Sequence, residues 1–169
     1  MAQAKTNDVK VQIFTSDHVI IGDFTVVGRP EVFINDQNFI SMRLKNVTLT
    51  PINPGTPVGD ITTPALHVPK KSVQLMVIGD FGPDSLRMLP QLMTSVLFTD
   101  TYTIRGTFHI GSDWKLQDFF YTMPGPFFPM TDVEILPLRD VVADVSGQAE
   151  LAFINGAAPT VFFDVNEKP

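Results

Sequence analysis

A stretch near the start of the chain recurs past its middle. Val11–Val26 reads VQIFTSDHVIIGDFTV and Ser95–Ile110 reads SVLFTDTYTIRGTFHI; they align without a gap and share Phe14/Phe98, Thr15/Thr99, Ile20/Ile104, Gly22/Gly106 and Phe24/Phe108. Two more blocks follow in the same order. Phe39–Met42 (FISM) matches Phe127–Met130 (FFPM), and Asn46–Pro51 matches Asp132–Pro137. Then ALHVPKKSVQLMV from Ala65 pairs with ELAFINGAAPTVFF from Glu150. Such collinear similarity predicts a duplicated unit of about 80 residues, and hence a chain of two small domains. The boundary is placed near residues 80–86, giving units over 1–80 and 81–169.

Each unit reads as strand. Ile20, Gly22, Phe24 and Val26 alternate with Ile21, Asp23 and Thr25, and Ile104, Gly106, Phe108 and Ile110 with Arg105, Thr107 and His109; this is the period of a sheet with one buried face. Ser16-Asp17 and Asp100-Thr101 separate such runs and suit tight hairpin turns. Gly22 and Gly106 fall inside strands, where glycine marks a bend or a close backbone approach. Pro51, Pro54, Pro57 and Pro64 assign one long loop, and Pro124, Pro126 and Pro129 another, because proline disfavours helix and central strand alike. The one expected helix is Asp84–Leu89, stopped by Pro90, as a short helix or linker near 84–92.

Composition narrows the chemistry. Apolar residues make up 44% of the 169 and charged residues 18%, enough apolar surface to exclude a disordered chain. Lys plus Arg total 12 against 18 Asp plus Glu, a net charge of −6, which argues against a general nucleic-acid coat or a binder of anionic membranes. With no cysteine, disulfides, thiolate metal sites and a cysteine nucleophile are excluded. The polar N-terminal stretch and the lack of a long apolar run predict a cytoplasmic protein without a membrane span.

Site chemistry finds no anchor. His18, His67 and His109 are far apart in sequence and read as a turn residue and two solvated strand residues rather than as metal ligands. A Ser-His-Asp triad has no G-x-S-x-G elbow to support it. The loop Asn53–Gly59 contains glycine but neither the lysine nor the helix of a phosphate cradle. The expectation is a non-enzyme with no catalytic, cofactor or metal residues.

The aromatic residues stand out. Trp114, Phe119, Phe120, Tyr121, Met123, Phe127, Phe128 and Met130 crowd one segment around Pro124, Gly125 and Pro126, more large side chains than a domain of about 80 residues buries easily. Trp114, Phe119, Phe120, Tyr121, Phe127 and Phe128 are therefore interface candidates, between the repeats or between chains.

The Thr15–Phe24 and Thr99–Phe108 runs (T-x-x-x-x-I-x-G-x-F), with the closing blocks Leu66–Val73 and Leu151–Gly156, resemble the Sm-like fold. The segment WKLQDFFYTMPGPFFPMTDVEI resembles uncharacterised bacterial Sm-like domains with a Leu-x-Asp-Phe segment ahead of an F-x-P-x-T-D strand. The resemblance implies an all-β chain of two tandem, strongly bent five-stranded barrels related by internal duplication. By the same resemblance, the RNA-binding candidates are Asn35, Asp36 and Asn38 in a loop, with Lys70, Lys71 and Asn155 near the closing turns. Neither repeat carries the family's complete pair of loop signatures. The leading expectation is a non-enzymatic assembly or protein-interaction module forming homo-oligomers through edge strands. An RNA-binding Sm-like protein is the alternative, disfavoured by the acidic charge.

Overall fold

The computed structural model describes residues 6–79, 81–122, 125–143, 145 and 147–166, so Met123 and Pro124 of the aromatic segment lie outside the described residues. Strands β1 (Thr6–Phe14) and β2 (His18–Val27) form a hairpin, helix α1 (Pro30–Asn35) leads into β3 (Ser41–Pro51), and β4 (Ile61–Pro69) and β5 (Leu75–Ile78) complete a first half. The second half runs β6 (Gln91–Phe98), β7 (Tyr102–Ile110), α2 (Leu116–Thr122), β8 (Phe127–Pro137), β9 (Gln148–Asn155) and β10 (Val161–Asp164). All these strands belong to one antiparallel sheet in the order β10-β6-β7-β8-β9-β5-β1-β2-β3-β4. Each half thus repeats one order: its fifth strand beside its first, then second, third and fourth.

Two separate closed barrels are not what this sheet shows. It is open and continuous, because the outer edge of β9 pairs with β5 of the other half rather than closing within its own. The ends of the sheet are β4 and β10.

Corresponding backbone bonds recur in the halves. Thr15 N–H donates to His18 O at 3.0 Å and Thr99 N–H to Tyr102 O at 2.8 Å. The same threonines accept from His18 N–H at 3.0 Å and Tyr102 N–H at 2.9 Å through Oγ1. A hydroxyl that closes its own turn this way explains why Thr-x-x fixes both hairpins. The strand register then slips between Ile21 and Asp23 and again between Arg105 and Thr107, at Gly22 and Gly106. On the facing strands, Asn46 (φ 49°) and Asp132 (φ 51°) take the left-handed conformation, which short polar side chains tolerate best after glycine. This is a β-bulge, and it bends the strand. A Cβ on Gly106 would lie 2.9 Å from both Met130 Cγ and Thr131 O, and one on Gly22 would lie 3.1 Å from Lys45 O.

The bonds also correct two of the alignments. Phe24 faces Leu44 and Phe108 faces Met130, so Leu44, not Met42, occupies the place of Met130. Lys70 N–H donates to Ile40 O and Gly156 N–H to Pro126 O, which shifts the closing blocks by one residue.

Expected alternation holds in β2, where Ile20, Gly22, Phe24 and Val26 are buried, and in β7, where Ile104, Gly106, Phe108 and Ile110 are buried. The cores interlock. The second-half cluster around Ile104, Phe108 and Phe119 includes Phe14, Val19, Ile52 and Leu75 of the first half. The first-half cluster around Ile13, Phe24 and Leu44 includes Phe127, Leu151 and Phe153 of the second.

Helix placement differs from expectation. Pro83–Ser85 makes a single 3-10 turn instead of a helix over Asp84–Leu89, while α1 and α2 arise where no helix was expected. Pro30 sits at the start of α1, where its missing N–H costs nothing; in α2, Leu116 and Phe119 are buried one turn apart. Pro64, assigned to a loop, lies within β4. Among the described residues that strand is paired on one side only, and Pro64 sits where the ladder skips Asn46 between the Lys45–Ala65 and Val47–Thr63 pairs, a position that needs no donor. Pro129 likewise lies within β8. No helix among the described residues is long and apolar enough to cross a membrane.

The Gly106 contacts are with backbone and a packed methionine, so Gly106→Ala should lower the unfolding free energy by about 1–3 kcal/mol. Gly22→Ala should cost less, and urea denaturation of the two variants measures the order.

Candidate functional site

Strands β5 and β9 meet over a short register, Leu75 with Ile154 and Met76 with Phe153, and Asn155 N–H donates to Gln74 O at 3.0 Å. Side chains reinforce the seam. Asn155 Nδ2 donates to Val73 O at 2.8 Å and Lys70 O at 3.2 Å, and its Oδ1 accepts from Ala157 N–H at 3.0 Å. Gln74 Oε1 accepts from Thr99 Oγ1 at 2.6 Å. At the far side of the junction, Asn35 Oδ1 accepts from Phe127 N–H at 2.8 Å and its Nδ2 donates back to Phe127 O at 2.9 Å. One asparagine amide thus mimics a strand partner for Phe127.

Lys70 belongs to the same cluster. The residue is buried, and its Nζ donates to Asp36 O at 2.7 Å. Burial lowers its pKa below the ordinary lysine value, the Asp36 carboxylate partly opposing the shift. Asp36 Oδ1 accepts from Asn38 N–H at 2.9 Å and Nδ2 at 2.8 Å, an Asx turn that shapes the loop between α1 and β3.

The structure therefore brings Asn35, Asp36, Asn38, Lys70 and Asn155 together at the junction, with Lys71 exposed beside them. In these contacts Asn35, Asn155 and Lys70 bond to the protein's own backbone. A cavity of about 440 Å³ opens between Asp36, Ile40, Lys71 and Pro126.

The aromatic candidates divide. Phe119, Phe127 and Phe128 are buried. Phe120 and Trp114 are partly buried against the second-half cluster, and Phe120 meets Phe128 at 5.0 Å and Phe162 of β10 at 5.1 Å between ring centres. Tyr121 is 89% exposed. Phe127 packs into the first half's core rather than its own, which is how the chain finds room for these rings.

Two surfaces remain, the first expected as edge strands but without the strands that form it, the second not singled out in the sequence. One is the pair of free edges. The amides of β4 alternate, and since Lys70 N–H bonds Ile40 O, those of Ala65 and His67 point away from β3. In β10, Val165 N–H donates to Thr94 O, which by the same alternation turns the amides of Phe162 and Asp164 outward. Val161 and Phe163 are 57% and 47% exposed. The other surface is a cavity near Arg43 and His67 in the first half.

The histidines remain apart: His18 closes a turn, His67 lies on the exposed β4, and His109 Nε2 is 3.0 Å from Thr131 Oγ1. Among the described residues, no group of three or more His, Cys, Asp or Glu is placed to hold a metal ion. The free-edge signal was latent in the repeat, since a chain that pairs a fourth strand with a fifth internally leaves one of each over. No family model, curated protein or solved structure matches the chain.

Replacing Asn155 by leucine removes the donor shared by Lys70 O and Val73 O inside the seam. Asn155→Leu should destabilise by about 1–3 kcal/mol, whereas Lys71→Gln should stay within about 0.5 kcal/mol; urea midpoints at constant slope compare them.

Proposed function

We propose that the protein is a non-enzymatic assembly module, built from two Sm-like units, that joins copies of itself through the ends of its sheet. The observation that carries this reading is the β5–β9 junction. Inside one chain it links the fifth strand of one half to the fourth strand of the other, leaving β4 and β10 as an unused fourth and fifth strand. Sheet edges with free N–H and C=O groups are templates for further pairing.

The internal junction supplies a register for that pairing. Gln74 and Thr160 occupy matching places, donating to Phe14 O at 2.8 Å and Phe98 O at 2.7 Å. Asn155 and Pro69 also match, one residue before Gly156 and Lys70. Transferring the β5–β9 pairs to two chains sets Val161 against Val68, Phe162 against His67 and Asp164 against Ala65. The outward amides of both strands then face acceptors. Pro69 removes the outward donor at one end of this stretch, while the nitrogen of Pro64 faces β3; the new ladder over Ala65–Val68 is about as long as β10. Such a contact is heterologous, and it closes into a ring or extends as a filament according to its rotation. Burying Val161 and Phe163 beside it adds apolar area.

RNA binding through the junction cluster has less support, because Asn35, Lys70 and Asn155 are engaged with backbone groups and the chain carries a net charge of −6.

Light scattering behind size exclusion at micromolar concentration tests the assembly. The expected mass is a multiple of 18.7 kDa, falling to that of one chain in Ala65→Pro, which removes an outward amide without touching the β3–β4 ladder. A wild-type chain that is monomeric at every concentration would sink the reading.

A further inference from the structure

The two halves share a frame but differ in one place. In the second half, Phe108, Phe119, Phe120 and Phe128 form a closed cluster with centroid distances of 5.0–5.9 Å. In the first half, Phe24 and Phe33 meet at 5.6 Å and Phe33 and Phe39 at 5.3 Å, but these rings do not fill the space. They line a cavity of about 440 Å³, within the range of small-molecule sites. Phe39 is 47% exposed.

The polar lining differs too. Arg43, Lys45 and His67 border the cavity. Arg43 pairs with His67 across β3 and β4, and Thr25 follows directly on the last β2–β3 pair, Phe24 with Leu44. The matching pair in the second half is Pro129 with Phe153, neither of them basic. Lys45 Nζ lies 3.5 Å from Asp8 Oδ1, which also accepts from Thr25 Oγ1. Among the described residues, Arg43 and His67 have no ion pair or side-chain hydrogen bond with the protein. A chain with a net charge of −6 therefore gathers aromatic rings and basic groups around this cavity.

We infer that this cavity binds a small amphipathic anion: a planar apolar body against Phe33 and Phe39, which pack on the buried Phe24, with its carboxylate or phosphate held by Arg43 and supported by Lys45 and His67. The rings provide apolar area and offset stacking. The guanidinium provides a charge-assisted, bidentate hydrogen bond to the head group. The cavity's rings and Arg43 lie off the β4 edge, so this inference does not rest on the assembly reading, although His67 borders both surfaces.

Backbone amide NMR of the full chain, titrated with 1-naphthoate, 1-naphthyl phosphate and neutral 1-naphthamide, tests it. Saturable shifts are expected at Phe33, Phe39, Arg43 and His67 with one or both anions, and the amide should bind about tenfold more weakly. The preferred anion tells carboxylate from phosphate. Arg43→Gln, at an exposed position and with an otherwise unchanged spectrum, should weaken the anion about tenfold and leave the amide as it was. Equal affinity for the amide, an Arg43→Gln variant that binds the anions undiminished, or shifts that map elsewhere or fail to saturate would each overturn the assignment.

Discussion

Unpaired backbone groups at a strand edge govern this molecule. A strand with one side free leaves a row of donors and acceptors that only another strand can satisfy in regular fashion. Here β9 meets β5 at that requirement, and the seam joins two five-strand orders into one sheet. Everything near it supports the same contact: the Asn155 amide on Val73 O and Lys70 O, the Gln74–Thr99 bond, and the Asn35 amide on Phe127. The cores follow the sheet, each borrowing side chains from the other half.

That shared frame leaves freedom in what fills it. The bulges at Asn46 and Asp132, with Gly22 and Gly106 opposite, bend both halves in corresponding places. Above the bend, the second half packs phenylalanine on phenylalanine, whereas the first half leaves space and rims it with Arg43, Lys45 and His67. Equivalent backbones with different fillings allow one half to specialise while the other completes the fold.

Much of the frame was legible in the sequence because its signals are local. The alternation in β2 and β7, the threonine-anchored turns and the glycine bends all lie within runs of about ten residues. Long-range features were not. Helices α1 and α2 are too short for a helical period to show against their phenylalanines. Pro64 reads as a loop residue unless its strand is known to be an edge with a bulge opposite. The aromatic segment looked too rich to bury, since nothing local says that Phe127 enters the other half's core. At the candidate site, Asn35, Lys70 and Asn155 were visible as polar residues in loops, but their bonds to backbone groups of segments distant in sequence were not. Arg43 and His67 sit on separate strands, and only the β3–β4 register makes them neighbours.

The central claim is that β4 and β10 pair as β9 and β5 do. Hydrogen exchange at the amides of Ala65, His67 and Phe162, followed across a dilution series, reads those edges directly. The account predicts slow exchange at high concentration that accelerates on dilution, while the amide of Asn155 at the internal seam stays protected throughout. Exchange at free-edge rates for Ala65, His67 and Phe162 at every concentration would contradict it.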